Sequence, residues 1–227
     1  MLYCCMRKNL SLLFILLALC YQSASAINLI SPVVFGNLGT VTASTTSNTV
    51  GYLSLSQQNQ FSAQGFTMGS TDYQLTSLQF GLGSTGTADP LVQIYGNNLG
   101  APSSALATFS LTSGPVFSKD IYNFSGSFVA EKNTSYWAVL SNVNSADLES
   151  FEWYSNDAFT PPSGQNASGI GYLQTVERNN VGGAWTGAIP SLSIQIRGTA
   201  VPEPSTGLLV VLGLGGLLLK RRKTVTV

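Results

Sequence analysis

Three carboxylates crowd the segment Asp147-Leu148-Glu149-Ser150-Phe151-Glu152-Trp153-Tyr154, the densest acidic cluster of the chain. On a strand, Asp147 and Glu149 share one face and Glu152 takes the other. Paired carboxylates can hydrolyse a glycosidic bond without histidine, one as acid and the other as base or nucleophile. This is the only plausible enzymatic class for a chain that contains no histidine. Ser-His-Asp and Cys-His nucleophiles, an imidazole base and His-ligated metals are all excluded. Glycoside hydrolysis further needs two acids held at a set gap, and acids on solvated loops or strand edges are the commoner case. No catalytic residue is expected.

Other side chains suggest binding. Asp72, Asp89, Asp147 and Asp157 carry oxygens of the kind calcium takes, but neither EF-hand nor repeat spacing is present, so no metal or cofactor is expected. Trp153, Tyr154 and Trp185 suit stacking on a sugar ring and define a carbohydrate-binding alternative, although aromatics on strands more often fill a core. Asn123-Phe124-Ser125, Asn133-Thr134-Ser135 and Asn166-Ala167-Ser168 match the glycosylation acceptor pattern. In a chain so rich in asparagine and serine, chance accounts for them.

The chain has 227 residues, 9% of them charged, and a formal net charge of zero, against about 25% charged in an average soluble domain. That zero is a sum of unlike segments. Arg7 and Lys8 lie near one end, and Lys220, Arg221, Arg222 and Lys223 near the other. Between positions 27 and 201 there are four bases (Lys119, Lys132, Arg178, Arg197) against nine acids, a net charge of −5. Phosphate neutralisation needs a basic footprint, so nucleic acid is not a partner. Cys4, Cys5 and Cys20 also stay within the first twenty residues. The middle therefore has no disulfide, thiolate zinc site or cysteine nucleophile.

The two ends carry addresses. Arg7-Lys8, an apolar run from Leu10 to Cys20, and Ala24-Ser25-Ala26 follow one another in the order of a secretory signal peptide. Cleavage after Ala26 discards all three cysteines and implies signal peptidase and the secretion machinery as partners. Lipidation at Cys20 is disfavoured by the bulk of Leu19. At the other end, Pro202-Glu203-Pro204 precedes an apolar run over 207–219 and the basic cluster Lys220, Arg221, Arg222 and Lys223. Thirteen helical residues reach only about 20 Å, against about 30 Å of hydrocarbon. Insertion as a short transmembrane helix relies on snorkelling lysine and arginine. The basic cluster acts as a cytoplasmic stop and leaves the large domain outside. The signal peptide requires the same topology.

These C-terminal features resemble the PEP-CTERM sorting signal of Gram-negative bacteria. The resemblance covers 201–227 and departs only in Thr224-Val225-Thr226-Val227, which extends past the basic cluster. It implies processing by an exosortase-like membrane peptidase during delivery to the cell surface, with Pro202, Glu203 and Pro204 as the recognition site. Two prolines disfavour helix around them, so the segment should stay extended above the bilayer.

Between the two ends the pattern is that of strands. Tyr122, Phe124 and Phe128 share one face, and Leu192, Ile194 and Ile196 alternate with Ser191, Ser193 and Gln195. Tyr136-Trp137-Ala138-Val139-Leu140 is apolar throughout, as a strand buried on both faces requires. Tyr73 and Leu75 fall out of phase with Leu78 and Phe80, which predicts a bulge. Gly83-Ser84-Thr85-Gly86, Gly96-Asn97-Asn98, Gly100-Ala101-Pro102, Pro161-Pro162-Ser163-Gly164 and Gly182-Gly183 punctuate the runs. Residues 31–51 suggest an irregular lead-in or edge strand. Many short strands between such turns predict an all-β domain over 27–200, a jelly-roll-like β-sandwich.

That domain resembles the bacterial choice-of-anchor domains, most closely the R type. The similarity rests on Gln60-Phe61-Ser62-Ala63-Gln64-Gly65-Phe66, Tyr73-Gln74-Leu75-Thr76-Ser77-Leu78 and Val92-Gln93-Ile94-Tyr95. Asn133-Thr134-Ser135-Tyr136-Trp137-Ala138-Val139-Leu140 and Gly182-Gly183-Ala184-Trp185 complete it. The resemblance implies a β-sandwich without established catalytic residues, joined to an interchangeable anchor. The expected protein is an exported, non-catalytic component of the envelope or exopolysaccharide matrix. A carbohydrate-binding module and a carboxylate glycosidase are its alternatives.

Overall fold

A computed structural model describes residues 32–38, 47–53, 58–84, 90–113, 120–142, 150–155, 161–164, 169–187 and 191–202. The expected signal peptide, with Ala24 and Ala26, lies outside the described residues, as do Glu203, Pro204 and everything beyond. The described residues form strands and turns without a helix. In chain order the strands are β1 (Val33–Gly36), β2 (Ser47–Leu53), β3 (Gln58–Thr67), β4 (Tyr73–Ser84), β5 (Pro90–Asn98), β6 (Ala101–Ser113) and β7 (Asp120–Ala130). They continue with β8 (Ser135–Asn142), β9 (Ser150–Tyr154), β10 (Ser163–Gly164), β11 (Gly171–Asn179), β12 (Thr186–Gly187) and β13 (Ile194–Ala200).

Eight of these strands close on themselves. From β4 the pairing runs through β7, β6, β5, β8, β3, β2 and β9, and β9 returns to β4. Every step is antiparallel. Outside the circuit, β13, β1 and β10 extend from β4, and β11 and β12 extend from β3. The described residues are all-β, but the expected jelly-roll-like sandwich gives way to a closed barrel, and the expected terminal helices lie outside the described residues. In-out alternation is identical in a sandwich and a small barrel, so periodicity does not separate them. Closure depends on β2 and β9, two short strands drawn from the lead-in segment and the acidic cluster. β9 meets β4 through only Leu82↔Trp153, Gly83↔Glu152 and Ser84↔Phe151.

Apolar alternation fills the barrel. Leu75, Leu78, Phe80, Val92, Ile94, Phe124, Leu140, Trp153 and Ile194 belong to one buried cluster. Phe80 meets Phe124 edge-on at 5.6 Å and Trp153 at 4.9 Å between ring centroids. The predicted phase slip in β4 is real: its register to β7 shifts between Leu75 and Ser77. β8 is buried on both faces, as its sequence predicts. Tyr136, Ala138 and Leu140 face the main core, while Trp137 and Val139 join Ala63 and Val176 in a second, smaller cluster.

The interior also holds polar groups, among them Gln64. Gln64 on β3 is fully buried, and its side-chain amide copies a strand partner. It accepts the Leu192 N–H at 2.9 Å and donates to the Leu192 carbonyl at 3.2 Å. Thr175 donates to the same amide oxygen at 3.3 Å. Satisfied in this way, the amide avoids the cost of a buried unpaired polar group and ties the approach to β13 onto β3.

Candidate functional site

The C-terminal segment leaves from one defined end of the barrel. β13 pairs antiparallel with β4, and its last rung is Ala200↔Tyr73. Tyr73 in turn pairs with Ala130, the last residue of β7. Gly198 lets β13 pass close to β4, because a Cβ there would meet the Gln74 carbonyl oxygen at 2.6 Å. Beyond the strand, Val201 N–H donates to the Asp72 carbonyl at 2.9 Å. Val201 is half-buried and Pro202 is exposed.

The same end is braced by two turns. The Asp72 side chain accepts the Lys132 N–H at 2.7 Å. Asn133 N–H donates to Gly69 at 2.8 Å, and Met68 N–H donates to Thr134 at 2.9 Å. The loop before β4, the turn between β7 and β8, and Val201 are therefore one hydrogen-bonded unit. Pro202 follows that unit directly.

Residues 200–223 match the PEP-CTERM protein-sorting motif. The motif thus begins on the last strand residue, Ala200, and contains Pro202, Glu203, Pro204 and the basic cluster. The PEP-CTERM motif implies export, a membrane-anchored precursor sorted to the cell surface, and recognition by an exosortase in the membrane. No curated protein matches the chain.

The residues singled out for other chemistry are scattered. Trp153 is fully buried, and its indole N–H donates to the Ser193 carbonyl at 2.9 Å. As an interior side chain it is out of reach of a sugar ring, which corrects its assignment as a carbohydrate contact. Trp185 is half-buried, and the Arg178 guanidinium lies 4.6 Å from its ring and 4.5 Å from that of Phe61. Asp147, Glu149, Asp89 and Asp157 lie outside the described residues. Asp72 serves the turn described above, and Asn133 occupies a left-handed turn position at φ 56°. Among the described residues, no three His, Cys, Asp or Glu side chains gather to hold a metal ion.

Glu152 has a structural partner. The Tyr154 hydroxyl donates to its carboxylate, and the tyrosine ring lies across Gly83, where a Cβ would come within 2.7 Å of it. Burial, then the hydrogen bond and charge of Glu152, push the Tyr154 pKa from 10.0 up to about 12. The unfolded chain therefore loses this proton first as pH rises through that interval. Stability from the protonated phenol is complete below pH 10 and fades toward pH 12. Tyr154→Phe is expected to lose less of its urea midpoint than the wild type between those two pH values.

An open cleft of about 610 Å³ lies near the tail-bearing end, lined by Asn97, Leu106, Phe128, Val129, Glu131 and Tyr136 among others. It forms because β6 and β7 pair only through Ser110↔Ser125, Leu111↔Phe124 and Ser113↔Asn123. Leu106 and Val129 remain about half exposed there. Sequence reasoning missed this opening and the bracing role of Asp72.

Proposed function

We propose that this chain is an exported, non-catalytic passenger of the cell surface or exopolysaccharide matrix, released from its membrane precursor by an exosortase-like peptidase. The observation that carries this reading is the join between barrel and motif. β13 delivers Pro202 into solvent immediately after the last backbone bond of the barrel, Val201 to Asp72. A peptidase acting at Pro202, Glu203 and Pro204 can therefore work without unfolding the passenger.

Composition supports the non-catalytic part. With no histidine, and with Cys4, Cys5 and Cys20 inside the proposed signal peptide, the exported domain offers neither an imidazole base nor a thiol nucleophile. The resemblance to choice-of-anchor domains supports the passenger role, although the barrel is not the sandwich that it implies. Mass spectrometry of the surface-exposed protein tests the proposal. The expected mature chain starts at Ile27 and lacks 207–227. An intact apolar tail on that form would overturn it.

A further inference from the structure

The tail fixes which end of the barrel faces the bilayer. Only residues 203–206 separate exposed Pro202 from Gly207, where the apolar run begins. Fully extended, that link spans roughly 17 Å. In the anchored precursor, the end of the barrel carrying Ala200, Asp72 and Lys132 is therefore held close to the membrane surface.

A second feature leaves by this same end. β5 pairs with β8 through Gly96↔Tyr136 and turns into β6 through Asn97↔Pro102 and Asn98↔Ala101. Tyr136 lies near the start of β8, just after the turn braced by Asp72. The hairpin tip thus continues three residues past that rung, about 10 Å. Its two central residues are Leu99, at φ 52°, and Gly100, at φ 86°. Two-residue turns of this kind favour asparagine or glycine at the first position, because left-handed backbone is costly for a branched apolar side chain. Leu99 is nonetheless there, and it is 100% exposed. Asp120 and Glu152 sit at the opposite end, level with Leu82 and Gly83, while Asp72 and Glu131 lie at the tail-bearing end.

We propose that Leu99, at the tip of the β5–β6 hairpin, is a second membrane contact that enters the bilayer interface beside the tail in the precursor. The inference rests on the proposed anchoring through 207–219. Tail and hairpin together hold the barrel at two points and keep the segment 202–206 at a constant height for the peptidase. Removal of the tail leaves one leucine, too little apolar surface to hold the barrel on lipid, so processing releases the passenger.

The test uses the full chain with Cys4, Cys5 and Cys20 changed to serine, reconstituted in phosphatidylcholine vesicles. Single fluorophores are attached at Leu99→Cys, Asp120→Cys or Leu212→Cys, and lipid-borne quencher is added. The expected result is quenching at 99 and 212 with none at 120. Quenching at 212 alone overturns the hairpin contact and leaves the anchored tail standing. No quenching at 212 overturns both. Leu99→Asn separates folding from lipid contact, since asparagine suits the left-handed backbone. With the fluorophore at Asn98→Cys, this change should lower the lipid-contacting population about tenfold. An unchanged population overturns the proposal.

Discussion

Trp153→Ala is expected to lower the free energy of unfolding by about 3–5 kcal/mol. The side chain is fully buried, stacks edge-on against Phe80 at 4.9 Å and donates its indole N–H to Ser193. Truncation leaves a large cavity and removes a donor in one step. The position also matters to topology, because Trp153 pairs with Leu82 in the three-rung seam that closes the barrel. Hydrogen exchange at Leu82 and Gly83 should therefore accelerate more than exchange in β8. Trp153→Phe retains most of the volume and loses the hydrogen bond, so it is expected to cost about 1–2 kcal/mol. Urea denaturation followed by Trp137 and Trp185 fluorescence checks both variants. A loss below about 1 kcal/mol for Trp153→Ala would mean that the seam does not depend on this side chain.

Local pattern was legible wherever burial follows period two. The shared inward face of Tyr122 and Phe124, the phase slip after Leu75 and the two-sided burial of 136–140 all reappear in the strands. The sorting segment was legible too, because its features are contiguous and need no tertiary contact to be seen. Closure was not. Whether β9 meets β2 and β4 depends on residues about 70 to 100 positions apart, and nothing within 150–154 encodes those partners. The amide of Gln64 standing in as a strand partner for Leu192 is likewise a long-range arrangement.

Trp153 shows where the pattern held more than was taken from it. Phe151 and Trp153 share parity while Glu152 and Tyr154 take the other face. An inward Phe151 makes an inward Trp153, and both are buried. The acids beside it drew attention to surface chemistry. Glu152 takes the outward side because one residue of offset reverses the side of a strand.

Replacing Pro202, Glu203 and Pro204 together by alanine is expected to leave the barrel's stability unchanged and to reduce the processed surface form about tenfold or more. The first half follows from the end of β13. Its last rung is Ala200↔Tyr73, its last backbone bond comes from Val201, and Pro202 is already exposed. The second half follows from backbone preference. The two prolines keep helix from extending out of the apolar run, whereas three alanines favour it. Helix growing toward Val201 would shorten the link and remove the extended strand that a peptidase active site takes. Glu203→Gln separates charge from shape, since it keeps both prolines. It should reduce processing less than the triple change if backbone extension dominates recognition. Immunoblots of membrane and surface fractions measure precursor and product, and thermal denaturation of the precursor checks the fold. Undiminished processing of the triple variant, with an unchanged melting temperature, would show that the peptidase reads neither the prolines nor the glutamate.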